Sequence, residues 1–296
     1  MSVAIVTDST AYLPVATARD TGVVVVPLKV VVGGRAFDEG VDIDSRALAA
    51  ALRAWTPVTT SRPSPQALLD AYTRLADGGA DAIVSMHISA EISGTCESAV
   101  LASRDSPVPT TVVDSRSLGM GLGFLVIEAA ASAAAGRGAD DNAVAARRRA
   151  EVTRVFFYVA TLEHLRRCGR IGPAAALLGS ALAIKPLLVL QDGHIAPLEK
   201  VRTSTRALAR LEELAIAAAV GRVDVAVHHL DASDAAERLA GRLRTALPGT
   251  EVVVGEVGAV VGAHVGPGML AVVVSPRLGR PASTGARFVP PSTTRG

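Results

Sequence analysis

Aromatic side chains are scarce in this 296-residue chain, only 3% of it, with a single Trp. Base-stacking platforms and aromatic cages cannot be built in number, so any apolar pocket has to be walled by Val, Leu, Ile, Ala and Met. Cysteine is nearly absent as well. Cys96 and Cys168 cannot form a multi-bridge framework or a cysteine-rich zinc site, which fits a reducing compartment and an expected cytoplasmic location. No charge is in large excess: Lys+Arg 30 against Asp+Glu 28 leaves a formal net charge of +2, which argues against nucleic acid as a partner. Neither a P-loop nor a Gly-x-Ser-x-Gly nucleophile elbow occurs. His228-His229 is the one histidine pair, and neighbours on a strand point to opposite faces, so no metal is expected.

No secretion signal is expected either, because Val3 to Asp8 reads as a strand with no basic or long apolar segment before it. The longest nearly uncharged stretch, Val257 to Ser275, has the length of a bilayer span. Gly258, Gly262, Gly266, Pro267 and Gly268 interrupt it, so two buried strands joined by a turn are expected, with His264 on a glycine-rich loop between them.

What is present is ample core-forming material, 49% hydrophobic residues against 20% charged. Short β-branched runs at Val23–Pro27, Asp81–Ser85 and Thr110–Asp114 alternate with Ala- and Leu-rich helical stretches, the pattern of a parallel βα sheet. Leu28 to Phe37, turning at Gly33-Gly34, predicts an inserted hairpin ahead of a helix from Ser45 to Trp55. An Ala-rich helix follows from about Ser117, breaks at Gly136-Arg137-Gly138, and resumes to Arg147-Arg148-Arg149, a run expected to be a solvated helix end. A second unit then predicts strands at Arg154–Val159, Lys185–Leu190, Val223–His228, Glu251–Glu256 and Met269–Val274. Its helices are predicted at Pro173–Ala183, Thr203–Val220 and Ser233–Leu247, and a hairpin turn at Gln191–Gly193. The fold class is therefore α/β in two domains, 1–150 and 151–276, which are free to exchange segments. Residues 277–296, rich in Pro, Ser, Thr, Gly and Arg, are expected to form a flexible tail.

Three hydroxyl-rich turns follow strands or precede helices of the first unit: Thr7-Asp8-Ser9-Thr10, Thr59-Thr60-Ser61-Arg62-Pro63-Ser64-Pro65, and Ser93-Gly94-Thr95. Each has an ordinary explanation as a helix cap, Ser64 with Pro65 above all. Each also suits a small anion, and one parallel sheet would bring them to the same edge. Basic residues near Arg166–Arg170, Lys200-Val201-Arg202, and His264 offer either anion contacts or solvated charge.

Together Thr7 to Thr10, Thr60 to Ser64, Ser93 to Thr95, Asp114-Ser115-Arg116, Leu162 to Ile171, Lys185-Pro186, Lys200 to Arg202 and His264 to Gly268 resemble the DegV family, in order, over about residues 2 to 275. The resemblance extends to the FakB-type, fatty-acid-binding subunits of bacterial fatty acid kinase. It implies an N-terminal parallel-sheet domain and a C-terminal domain with a mixed sheet, with a lipid tunnel at or near their junction. It implies a long-chain fatty acid as ligand, no cofactor and no catalytic machinery of its own. The acyl carboxylate would be presented to a separate ATP-binding kinase subunit, giving acyl phosphate for phospholipid metabolism, with transient membrane contact. Carried over by motif, Thr60 and Ser93 would bind the carboxylate with Ser61 and Thr95 near it, while Arg170, Arg202 and His264 would surround the tunnel mouth or receive the kinase. Cys168 departs from the family pattern where glycine is expected, and would be strained if that position needs a positive φ. Arg62 stands where glutamine is common, and its charge either assists the carboxylate or faces water. The alternative is an enzyme acting on a small phosphorylated or hydroxylated metabolite, with Asp8 or His264 as general base.

Overall fold

The computed structural model describes residues 2–177 and 185–278. The chain runs β1 (Val3–Asp8), α1 (Val15–Thr21), β2 (Val24–Val26), β3 (Lys29–Val32), β4 (Arg35–Asp38), α2 (Ser45–Arg53), β5 (Val58–Ser61), α3 (Pro65–Asp77), β6 (Ala82–His87), α4 (Thr95–Ser103), β7 (Thr110–Asp114) and α5 (Met120–Ala134). It continues α6 (Ala139–Val152), β8 (Arg154–Tyr158), α7 (Glu163–Arg167), β9 (Lys185–Gln191), β10 (His194–Val201), α8 (Ser204–Ala218), β11 (Val223–His229), α9 (Ser233–Ala246), β12 (Val252–Glu256), α10 (Ala259–Val265) and β13 (Leu270–Pro276).

Strands β2-β1-β6-β7 form a wholly parallel sheet, and β4-β3-β5 a small antiparallel one beside it. The larger sheet, β10-β9-β8-β13-β11-β12, is antiparallel except for the β11–β12 pair. The chain is thus an α/β protein with a parallel-sheet N-terminal domain and a mixed-sheet C-terminal domain. All of β6 is buried, as a parallel strand covered on both faces must be.

Helix α5 explains how the two large sheets are joined. Every residue from Met120 to Val126 is buried, as a helical segment packed on all sides must be. Leu122, Leu125 and Val126 pack with Ile5 and Met86 of the parallel sheet. Met120 and Phe124, on another face, share a core with Val155, Phe157 and Val273 of the mixed sheet.

Three expectations change. The run Val257–Ser275 is not two strands: α10 occupies its first half and β13 its second. Glycines four apart let this β-branched segment lie as a helix against its neighbours, because a Cβ on Gly262 would come 2.5 Å from Leu48 Cδ2 and one on Gly258 would come 2.3 Å from Glu39 Oε1. The helix expected at Pro173–Ala183 starts as a 3-10 turn over Gly172–Leu177, and its remainder lies outside the described residues, as does the expected tail from residue 279.

The third change concerns Arg149. It is buried, whereas Arg147 and Arg148 face solvent as expected. Its guanidinium donates to Glu128 (2.6 Å), to Ser275 Oγ (2.9 Å), to the Phe124 carbonyl (3.2 Å) and to Asp224. Although burial pushes the Asp224 carboxyl up, hydrogen bonds from Arg277 and Arg149 hold it below its ordinary range. Helix α6 is thereby fastened to β11 and β13. Replacing Arg149 by Met strands these acceptors and should lower unfolding free energy by about 3 kcal/mol, whereas Arg148→Met should change it by less than about 0.5 kcal/mol. Urea unfolding of both variants tests the contrast.

Candidate functional site

A cavity of about 380 Å³ opens between the small sheet, the turn before α4, α7 and α10. Leu28, Ile88, Leu118, Leu165, Ile195 and Val260 give it aliphatic walls. At one end the lining turns polar, with Thr60, Ser61, Ser93, Arg170 and His264.

Each polar residue has a structural reason for its place. Thr60 lies on β5 opposite Val30 of β3, so strand register sets its side chain. Ser93 ends the turn before α4, whose N-cap Gly94 supplies no side chain, so the first N–H groups of that helix are uncapped where the cavity wall passes. His264 sits in the last turn of α10 rather than on a loop.

Two hydroxyls are backed by a second group. Thr60 Oγ1 and His264 Nε2 are 2.9 Å apart. Burial, then the nearby Arg170 guanidinium, push the His264 pKa down to about 4, so its ring is neutral. Its Nδ1 is enclosed without a partner. A bare acceptor left unpaired is better tolerated than an N–H, so we assign the proton to Nε2, donating to Thr60 Oγ1. The Thr60 proton then points elsewhere. Ser93 Oγ likewise shares a hydrogen bond of 2.8 Å with Thr95 Oγ1, which is wholly buried.

The remaining expected residues divide. Ser61 is exposed at the rim, and Arg170, also exposed, lines the cavity with Nε on the Ile92 carbonyl (3.2 Å). Arg202 is exposed between β10 and α8 and does not line this cavity. Arg62 does line the cavity, but its guanidinium is taken by Glu97 and the Gly94 carbonyl. Cys168 is unstrained at φ −86, because the positive φ of that turn falls on Gly169, at 67°.

Asp8 is not a rim carboxylate. It is wholly buried and accepts from Thr10 N (3.0 Å), Thr10 Oγ1 (2.5 Å) and Ile88 N (2.9 Å), with His87 Nδ1 at 3.1 Å. His87 Nε2 contacts Ser85 Oγ at 2.7 Å, and Ser85 accepts from Tyr72. This Ser-His-Asp order has no access to a substrate, since Ser85, His87 and Asp8 are fully enclosed, so the general-base role expected of Asp8 has no geometric support.

Sequence patterns missed Glu39 entirely. It is buried and accepts from Ser9 Oγ (2.5 Å), Tyr12 OH (3.3 Å) and Val260 N (2.7 Å), which fixes the start of α10. Nothing local marks it, because its partner Val260 is 221 positions away.

Burial raises the Glu39 pKa from 4.5 to about 7 despite those donors. Between these values the folded chain keeps a proton that the unfolded chain has released, so stability from this group is present below pH 4.5 and lost as pH rises to about 7. His228 and His264 act with the opposite sign. Their pKa falls from 6.5 to about 4 through burial, so their contribution is lost as pH drops through that range. Glu39→Gln should therefore gain stability relative to the wild type on going from about pH 5 to pH 8, by up to about 3 kcal/mol in urea unfolding. A gain that does not change with pH would show that Glu39 ionises freely.

The family model described as "Uncharacterised protein, DegV family" matches residues 2–277. A DegV domain-containing protein of Streptomyces coelicolor is 56% identical over 277 residues, covering 93% of this chain and 99% of that one. Among solved structures, a DegV family protein from Thermus thermophilus, described by its fatty acid binding, superposes with a TM-score of 0.88 at 34% identity, covering 93% of this chain and 99% of that one. DegV from Bacillus subtilis, described as a fatty acid binding protein, gives a TM-score of 0.85 at 30% identity and the same coverage. With a match that spans the parallel sheet, the mixed sheet and every wall of the cavity between them, the chain belongs to the DegV family.

Proposed function

We propose that this chain binds a long-chain fatty acid in the cavity and presents its carboxylate to a separate ATP-dependent kinase. One observation carries this: an aliphatic cavity whose polar end holds two hydroxyls, Thr60 and Ser93, the first hydrogen-bonded to His264 and the second to Thr95. Burying an acyl chain gains about 0.8 kcal/mol per methylene, so a long chain outweighs the several kcal/mol lost on association. The carboxylate cannot be left bare at the end of such a cavity, and two O–H donors satisfy it. The fatty acid binding described for the Thermus thermophilus and Bacillus subtilis proteins supports the same ligand here.

Hydroxyl donors leave a carboxylate oxygen nucleophilic, which a bidentate arginine would not. In the transfer we infer, that oxygen attacks the γ-phosphorus of ATP held by the kinase. The bond to the ADP oxygen breaks, and acyl phosphate and ADP result. The chain itself acts as carrier rather than enzyme, in the cytoplasm, with units 1–150 and 151–276 contributing opposite walls. Thr60 and Ser93 bind the carboxylate with Ser61 and Thr95 near it, His264 completes the polar network through Thr60, and the exposed Arg170 and Arg202 serve the cavity mouth or receive the kinase.

Thr60→Ala combined with Ser93→Ala should weaken fatty-acid binding at least about tenfold, the loss of two hydrogen bonds to a charged group, measured below the unfolding transition because the His264 N–H also loses its acceptor. Native mass spectrometry of the purified protein, followed by extraction of released lipid, provides the direct check. A stoichiometric fatty acid in the wild type supports the carrier role, and an empty protein that also refuses added fatty acid overturns it.

A further inference from the structure

The turn that carries Ser93 is gathered on one residue, Ser89. Between β6 and α4 three consecutive amides donate to it: Glu91 N to its Oγ (3.3 Å), and Ile92 N and Ser93 N to its carbonyl (3.1 Å each). The near end of the turn is held separately within the N-terminal domain. Ile88 N donates to Asp8 (2.9 Å), Ser89 N to the Ser117 carbonyl (2.9 Å) and Ala90 N to Asp114 (3.2 Å). Ser89 is wholly enclosed, so water does not compete for its bonds.

The hydroxyl proton of Ser89 leaves the domain. It is donated to the carbonyl of Gly193 at 2.9 Å, 104 positions further along, in the turn of the β9–β10 hairpin. Asp192 and Gly193 have φ of 50° and 84°, the left-handed pair that a two-residue hairpin turn requires. A Cβ on Gly193 would come 2.5 Å from Ser89 Oγ, so only a residue without a side chain lets the hairpin approach this closely. The neighbouring Glu91–His194 pair, at 3.3 Å, is half exposed on both sides and adds little by itself. Ile195, on the same hairpin, lines the cavity. One hairpin therefore supplies part of the wall and, through Ser89, a hold on the turn that supplies a donor.

We propose that Ser89 is a positioning residue for carboxylate binding: its hydroxyl, fastened to the Gly193 carbonyl, clamps the Ser93 turn to the mixed-sheet domain and sets where Ser93 Oγ meets the ligand head. This rests on the carrier function proposed above. It adds that a donor of the N-terminal domain is aimed by the C-terminal one, through a residue that does not itself line the cavity. Removing the hydroxyl leaves the Gly193 carbonyl and the Glu91 N–H unpaired inside the protein, and the turn shifts to satisfy them.

The test is a double-mutant cycle on the full chain, with palmitate as the probe in isothermal titration of the wild type, Ser89→Ala, Ser93→Ala and the double variant. Ser89→Ala should weaken palmitate binding about fivefold in the wild type and less than about 1.5-fold in the Ser93→Ala background, because a donor already removed cannot be misplaced. A general loosening of the cavity costs the same in both backgrounds. Equal losses therefore overturn the proposal, as does a Ser89→Ala variant that binds palmitate like the wild type. Should Ser89→Ala not fold, Ser89→Cys, which keeps the volume and weakens the donor, carries the same cycle with an expected loss of about twofold to threefold. A wild type that refuses palmitate overturns the carrier function, and a Ser93→Ala variant that binds as tightly as the wild type overturns the donor role of Ser93 and with it that of Ser89.

Discussion

The hydrogen bond between Thr60 and His264 ties β5 to α10 across 204 positions of sequence, and the cavity exists only where these two elements meet. It does not act alone. Glu39 accepts from Val260 N, Tyr12 OH accepts from Val261 N at 3.3 Å, and Ser45 Oγ donates to the Val257 carbonyl at 2.9 Å. A helix of seven residues has little stability of its own. Its position is set by polar groups of the N-terminal domain rather than by the sheet that follows it in the chain. The wall of the site and the donor at its polar end are therefore fixed by the same contacts.

The electrostatics follow from that enclosure. Burial keeps His264 and His228 neutral and raises Glu39 toward neutrality, so the groups around α10 carry little net charge at the pH where they pair. His228 illustrates the use of a neutral ring. Its Nε2 accepts from Met120 N at 2.9 Å, capping α5 from the other domain, while Nδ1 lies 3.3 Å from the Gly255 carbonyl. Arg170, by contrast, stays exposed where it lines the cavity, so its charge remains in contact with water.

Much of the architecture was legible because it is local. Alternating β-branched runs and Ala-rich stretches locate the parallel sheet, Gly33-Gly34 and Asp192-Gly193 mark hairpins that form, and Ser64 caps α3 by accepting from Ala67 N. The α10 segment misled because valine-rich composition reads as strand, while what decides it is the close approach to Leu48 and Glu39 that its glycines permit. Arg149 misled for the same kind of reason. An arginine run looks alike whether it meets water or Glu128 and Asp224, and those partners come from distant elements. Of the site, Thr60, Ser93 and His264 were visible as motif residues and line one cavity, whereas Glu39, which seats α10, has no local signature.

The contacts that seat α10 also place the cavity in time. Glu39, Ser45 and Thr60 are made early in synthesis, and their partners Val260, Val257 and His264 are more than 200 positions further on. Closing so long a loop is slow compared with assembling the local βα units, so those units form first. A nascent chain carries the hydroxyl turns and half the aliphatic wall long before it carries the other half. The complete pocket is thus absent from any nascent chain that ends before α10.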